Sequence, residues 1–211
     1  MKKLTVLMLA VCLVLSAFAL TSCGGSKGLE YELNEDGTAY TVVGIGTCED
    51  TELVIPSKYK GLPVTAIGEG ALKSWLGLTS VTIPSSVKTI GKSAFAYCDD
   101  LSELIIKKGS GVTIGDEAFR GCGGLTEVVL PEGVTSIGEM SFAYCTHLVE
   151  FTMPSTMRSI GKRAFENNKD IVRIIFKGTV EQWKKVEQKP EWAYPTRIER
   201  VFCSDGVITL E

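Results

Sequence analysis

Five copies of the dipeptide Ile-Gly at an almost fixed pitch constrain this chain more than any other feature. They stand at Ile67-Gly68, Ile90-Gly91, Ile114-Gly115, Ile137-Gly138 and Ile160-Gly161, so the steps are 23, 24, 23 and 23 residues. A second column, Leu72, Phe95, Phe119, Phe142 and Phe165, keeps the same register, and so does a third, Leu78, Leu101, Leu125, Leu148 and Ile171. Columns that share one period describe structural repeats stacked in a row. A unit of this length cannot bury its own apolar face, so neighbours must share one elongated core. The expected fold is a repeat solenoid of the leucine-rich-repeat α/β type. Short parallel β-strands line one face, short helical turns line the other, and caps close both ends.

The two faces are read from local patterns. Ala94, Phe95, Cys98 and Leu101 fall at i, i+1, i+4 and i+7, which predicts a short helical segment. Val81-Thr82-Ile83, Leu104-Ile105-Ile106 and Val128-Val129-Leu130 are too short for a helix and rich in β-formers. They predict strands whose first and third residues point inward. The Gly after each Ile suits a tight turn of the backbone. Lys107-Lys108-Gly109-Ser110-Gly111 replaces the usual Pro-x-x-Val with one extra residue, accounts for the single 24-residue step, and predicts a local bulge.

Solenoids need closed ends. Leu29, Tyr31 and Leu33 alternate, Asp36-Gly37 marks a turn, and Tyr40 and Val42 alternate again, which reads as a hairpin. Leu53-Val54-Ile55-Pro56 reads as the strand of a partial leading unit. Thr179 followed by Gln182 is a capping box that opens a helix through Trp183 and Val186. The expected organisation is therefore a hairpin cap with a partial first repeat over 29–63, five repeats over 64–178 and a C-terminal cap over 179–211.

The start of the chain is of another kind. Lys2 and Lys3 precede an apolar or small run from Leu4 to Leu20, the layout of a secretory signal. The run is shorter than the ~20 residues of a spanning helix. Leu20-Thr21-Ser22-Cys23 resembles the lipobox of bacterial lipoproteins. That resemblance implies cleavage after residue 22 and lipid on the Cys23 sulfur, with 23–28 as a flexible tether. The expectation is an exported chain held to the bacterial membrane by its lipid, facing the exterior or the envelope space; a plainly secreted chain is the alternative. The net charge is −3 and there is no basic stripe, so nucleic acid is not an expected partner.

The Ile-Gly-x-x-Ala-Phe core, the Cys-x-x-Leu that follows it and the strand ending in Ile-Pro or Leu-Pro together resemble the BspA-like leucine-rich repeat family of bacterial surface proteins. Asp50 to Pro56, leading to Gly61-Leu62-Pro63-Val64, resembles the first unit of that family. The similarity covers roughly 38–178, and the tail resembles a closing segment found in exported members. The resemblance implies a cell-surface protein used for adhesion or protein–protein contact. It implies no ligand, because a fold does not fix a function.

Candidate chemistry is sparse. The outward column of the strands reads Val54, Thr82, Ile105, Val129, Thr152 and Ile175. The column beside it reads Glu52, Ser80, Glu103, Glu127, Glu150 and Arg173. An exposed apolar strip marks binding surfaces, although β-branched residues also favour strands for their own sake. The glutamates suit a cation, or simply a solvated face that discourages unwanted association. Cys98, Cys122 and Cys145 form a core-facing column without the clustered ligands of a metal site. Trp75 and Asn168 fill the same slot in the end repeats, which makes the column a packing feature. Cys48 and Cys203 lie in opposite caps, too far apart to pair.

His147 follows Cys145 by two residues, but on the loop rather than the core side, which argues against a nucleophilic pair. No phosphate-binding glycine loop and no Gly-x-Ser-x-Gly elbow occurs. The expected function is a surface-displayed, non-enzymatic binding module. It needs no cofactor and contacts an extracellular protein or glycan through the outward columns, centred on Thr82, Ile105, Val129 and Thr152. The alternative is an architectural envelope lipoprotein without a dedicated ligand face.

Overall fold

The computed structural model describes residues 25–109, 111–194 and 196–210. The expected leader (1–22) and Cys23 lie outside them. Two ladders of strands face each other across one core. The front ladder is built of the predicted triplets: Glu52–Val54, Ser80–Ile83, Glu103–Ile106, Glu127–Val129, Glu150–Met153 and Arg173–Phe176. Arg200–Cys203 continues it in parallel, so the cap contributes one further coil and the solenoid has seven among the described residues. Gly206–Thr209 then folds back antiparallel as the last strand. First and third residues of the triplets point inward: Val81, Ile83, Val128, Leu130, Phe151 and Met153 are buried.

The rear ladder was not expected as strand. Leu62–Ile67, Thr89–Ile90, Val112–Ile114, Val134–Ile137 and Ser159–Ile160 pair in parallel, closed by the antiparallel hairpin Glu30–Leu33 with Tyr40–Gly44 at one end and by Glu187–Gln188 at the other. Except at Val112 and Ile114, the inward residues of this ladder are three apart rather than two, as at Val64 and Ile67 or Val134 and Ile137. Alternation, the usual sign of a half-buried strand, is therefore missing from the other coils.

The helical face is corrected. Among the described residues the single α-helix is Val180–Trp183, with the Thr179–Gln182 capping box at its start. The segments around the phenylalanines are chains of turns. The amides of Ser93, Phe95 and Tyr97 donate to the next coil, at Asp116, Ala118 and Arg120, while those of Ala94, Ala96 and Cys98 donate three residues back. The following coil repeats this alternation through Glu117 to Cys122. Half the amides are spent between coils, so no helical ladder can form. The turns need two left-handed residues per coil, for example Ser93 (φ 52°) and Tyr97 (φ 62°), which no ordinary helix tolerates.

The glycine after each isoleucine serves another purpose than a left-handed turn. None of the five has positive φ. A β-carbon at Gly138 would lie 2.6 Å from the Gly115 carbonyl carbon, and one at Gly161 would collide with that of Gly138. Glycine is demanded by backbone stacked directly on backbone. Inside, the rings of Phe95, Phe119 and Phe142 stack at 5.2 and 5.1 Å between centroids, and Phe151 meets Phe142 and Phe165 edge-on.

The insertion has a two-part explanation. Five residues, Lys107 to Gly111, join front to rear where Pro84 to Ser86 suffice in the preceding coil, and the following strand runs Val112-Thr113-Ile114 with one residue fewer than Val87 to Ile90. The rear ladder absorbs the mismatch as a bulge at Thr135, which is left between the pairs Val134–Val112 and Ser136–Thr113, one coil after the expected position. The front ladder does not: Glu103–Ile106 and Glu127–Val129 fall in separate sheets. The front face is thus two sheets rather than one.

Candidate interaction face

The front strands present two outward columns. Register pairs Val54 with Thr82 and Ile105, then Val129 with Thr152, Ile175 and Phe202, and finally Phe202 with Val207. Val54 is 38% exposed, Val129 45% and Val207 54%, while Thr82, Ile105, Ile175 and Phe202 are half-buried. Thr152 departs from the expectation. At 5% exposure it sits below its larger neighbours Val129 and Ile175 and offers little surface to a partner. Phe202 and Val207, which lengthen the column, were missed because the cap lacks the repeat motif.

The charged column stands beside it in the order Glu52, Ser80, Glu103, then Glu127, Glu150, Arg173 and Arg200. The Arg173 guanidinium donates to Glu150 at 2.9 Å and lies 5.6 Å over the Phe202 ring. Glu52, Glu103, Glu127 and Arg200 are exposed and form no ion pair among the described residues. No three acidic, His or Cys side chains converge among the described residues, so the glutamates stand in a row rather than around an ion.

The edge of this face is tied down by the segment expected to be a free tether. The Ser26 amide donates to the Val54 carbonyl at 2.8 Å, and the Val54 amide donates to Ser26 Oγ at 3.0 Å. These two bonds satisfy edge groups that would otherwise template association.

The cysteine column does more than fill space. Cys98, Cys122 and Cys145 each donate S–H to a carbonyl of the preceding coil, at Leu72, Phe95 and Phe119 (3.2, 3.2 and 3.3 Å). Asn168 makes the equivalent bond to Phe142 through Nδ2 at 2.9 Å. In four of the five repeats the slot therefore holds a small donor, a property that sulfur conceals in the sequence, while Trp75 fills it by bulk in the first. Burial raises the Cys98 thiol to about 11 and the Cys145 thiol to about 12, and Cys122 well above its ordinary value. A thiol kept protonated is a donor and not a nucleophile. His147 is exposed, with Nδ1 2.8 Å from the Gly123 carbonyl, and no Cys145–His147 bond forms.

Two surface features lie outside the front face. The Arg120 guanidinium lies between the Tyr97 and Tyr144 rings, 5.8 and 5.2 Å from their centroids, and the Tyr97 ring occupies the space that a side chain at Gly121 would need. A shallow groove of about 560 Å³ runs along the glycine ladder at Gly115, Gly138 and Gly161.

Comparison with known proteins agrees with this geometry. A family model described as BspA type leucine rich repeat region matches residues 65–186 in six copies. A search of curated proteins gives no match. Among solved structures, a leucine rich repeat protein of T. pallidum superposes with TM-score 0.65 at 24% identity, over 84% of each chain. A leucine rich cell surface protein of Faecalibacterium prausnitzii gives 0.66 at 30% identity over 76% of this chain, which spans only 41% of that protein. The pneumococcal vaccine antigen PcpA shares the fold, with TM-score 0.53 at 19% identity over 88% of this chain and 53% of that one.

Proposed function

Taking as premise that this chain belongs to the BspA type leucine-rich repeat family, we propose that it is a non-enzymatic binding module displayed at the bacterial surface. Its front face takes an extracellular protein. The observation that carries this reading is the outward apolar column, held in register by the ladders and covered by no element among the described residues. Contact centres on Ile105 and Val129, at the junction of the two front sheets, with Thr82 and Ile175 beside them. Glu103 and Glu127 flank this patch, so the partner presents aliphatic and cationic groups to it. The cell-surface description of the F. prausnitzii relative supports the location. Lys2, Lys3, the apolar run to Leu20 and Cys23 support export and a lipid anchor.

The test replaces Ile105 and Val129 together by Lys on the full chain at the cell surface. Crosslinked partners recovered from wild-type cells are expected to be lost, with the thermal unfolding midpoint nearly unchanged because both side chains point outward. Unchanged recovery of partners would leave the architectural role as the better reading. In parallel, Cys23→Ser should release the protein to the medium and remove the acyl mass from its N-terminal peptide.

A further inference from the structure

The front face is oppositely charged at its two ends. Glu52, Glu103 and Glu127 occupy the early coils, and Arg173 and Arg200 the late ones, in one column beside the apolar one. Such a column is complementary to itself when reversed. An axis lying in the face, parallel to the strand Glu150–Met153, reverses the order of the coils while laying each column on itself. Around that axis Ile105 of one copy meets Phe202 of the other, and Val129 meets Ile175. Glu103 meets Arg200, and Glu127 meets Arg173. Thr152, the least exposed member of the column, lies on the axis, where the two copies would stand closest. Glu150 meets its own counterpart there, and its charge is already answered by Arg173 of its own chain at 2.9 Å.

We propose that the front face is a self-complementary interface whose occupant is a second copy of this chain, packed antiparallel about the strand Glu150–Met153. This rests on the reading of the front face as a binding surface and names its partner. The fold favours a flat contact. Neighbouring coils hydrogen-bond on the rear and the turn side, and on the front at every step except that between Glu103–Ile106 and Glu127–Val129, so no side of the stack is left to spread as the outer side of a horseshoe does. Seven strands about 4.8 Å apart give a strip roughly 30 Å long. With a width of about 17 Å, this buries on the order of 1,000 Å² in total, at the lower limit for a specific interface. The contact is therefore reversible, and suits copies concentrated on a surface.

The test measures the mass of the full chain in detergent by sedimentation velocity across a concentration series, at low and high salt. The wild type passes from monomer to dimer with concentration, and high salt weakens it. Glu103→Arg and Arg200→Glu each weaken dimerisation at least tenfold, since each places like charges opposite one another twice. An equimolar mixture of the two variants restores the dimer, because both cross-copy pairs again have opposite sign. This result cannot come from damaged folds. A wild type that stays monomeric, swaps without effect, or a mixture no stronger than its components would overturn the proposal. Should Ile105→Lys with Val129→Lys still abolish partner capture in that event, the binding face stands and only its occupant changes.

Discussion

The inner columns and the outward front columns come from the same coils, yet they obey different rules. Inside, the Gly after Ile recurs in all five repeats and the phenylalanine in four of them. The reason is mechanical, because each coil rests on the one before it with no room for a different shape. Outside, the front positions change from valine to threonine to isoleucine and from glutamate to arginine, with nothing in the fold to dictate them. Repetition therefore reports how the chain folds, and departure from repetition is where function must be sought. The exposed tyrosines sharpen the point. Tyr97 and Tyr144 hold a left-handed backbone that Gly121 and Asn167 adopt at lower energy, so an aromatic at that slot is not a folding requirement.

The largest expected effects lie inside. Phe142→Ala removes a ring that touches Phe119, Phe151 and Phe165 and should lower stability by about 4 kcal/mol. Gly138→Ala should lower it by about 3 kcal/mol, because the new carbon would meet the Asp116 amide at 2.5 Å. Gly123→Ala is the control: its β-carbon meets nothing closer than 3.9 Å, and the change should stay within about 0.5 kcal/mol. Urea unfolding midpoints of the three variants check the ranking. A glycine ladder tolerant of alanine would break the comparison drawn above.

Much of this was legible in the sequence, for physical reasons that also mark the limits. The front triplets alternate, so Val81 and Ile83 announced their inward faces. The hairpin at Asp36-Gly37 and the capping box at Thr179 are local chemistry, visible without neighbours. The rear strands were hidden because Val64 and Ile67 are three residues apart. The turn segments passed for helix because Ala94, Phe95, Cys98 and Leu101 satisfy helical spacing, whereas their hydrogen bonds run to another coil. On the face itself the order of the columns was readable. The sinking of Thr152, the break between Ile105 and Val129, and the addition of Phe202 depend on neighbouring strands that no single triplet encodes.

The donor slot yields the intermediate effects. Asn168 supplies the required donor but buries Oδ1 without a partner. Asn168→Cys keeps a donor and removes that orphan, and should stabilise by about 1 kcal/mol. Asn168→Ala strands the Phe142 carbonyl and should destabilise by a similar amount. The cysteines add a pH signature. Their folded values lie above the ordinary thiol value of 9.0, so their contribution is complete below pH 9. It is lost as pH rises through about 11 for Cys98 and about 12 for Cys145. Melting temperatures followed from pH 8 upward should fall less steeply in Cys98→Ala than in the wild type.

The smallest effect belongs to the front face, and its smallness is the point. Arg173 and Glu150 form a pair with side chains 55% and 26% exposed. Partly solvated pairs of this kind contribute little, so Glu150→Gln should change stability by less than about 0.5 kcal/mol. Binding should respond differently. With Glu150 neutral, Arg173 is no longer held at the middle of the charged column, and the repulsion between two facing glutamates on the dimer axis disappears. Sedimentation of Glu150→Gln should therefore show a dimer at least as strong as the wild type, beside an unchanged unfolding curve. A change in unfolding as large as that of a glycine-ladder substitution would mean that the front column carries the fold as the inner columns do.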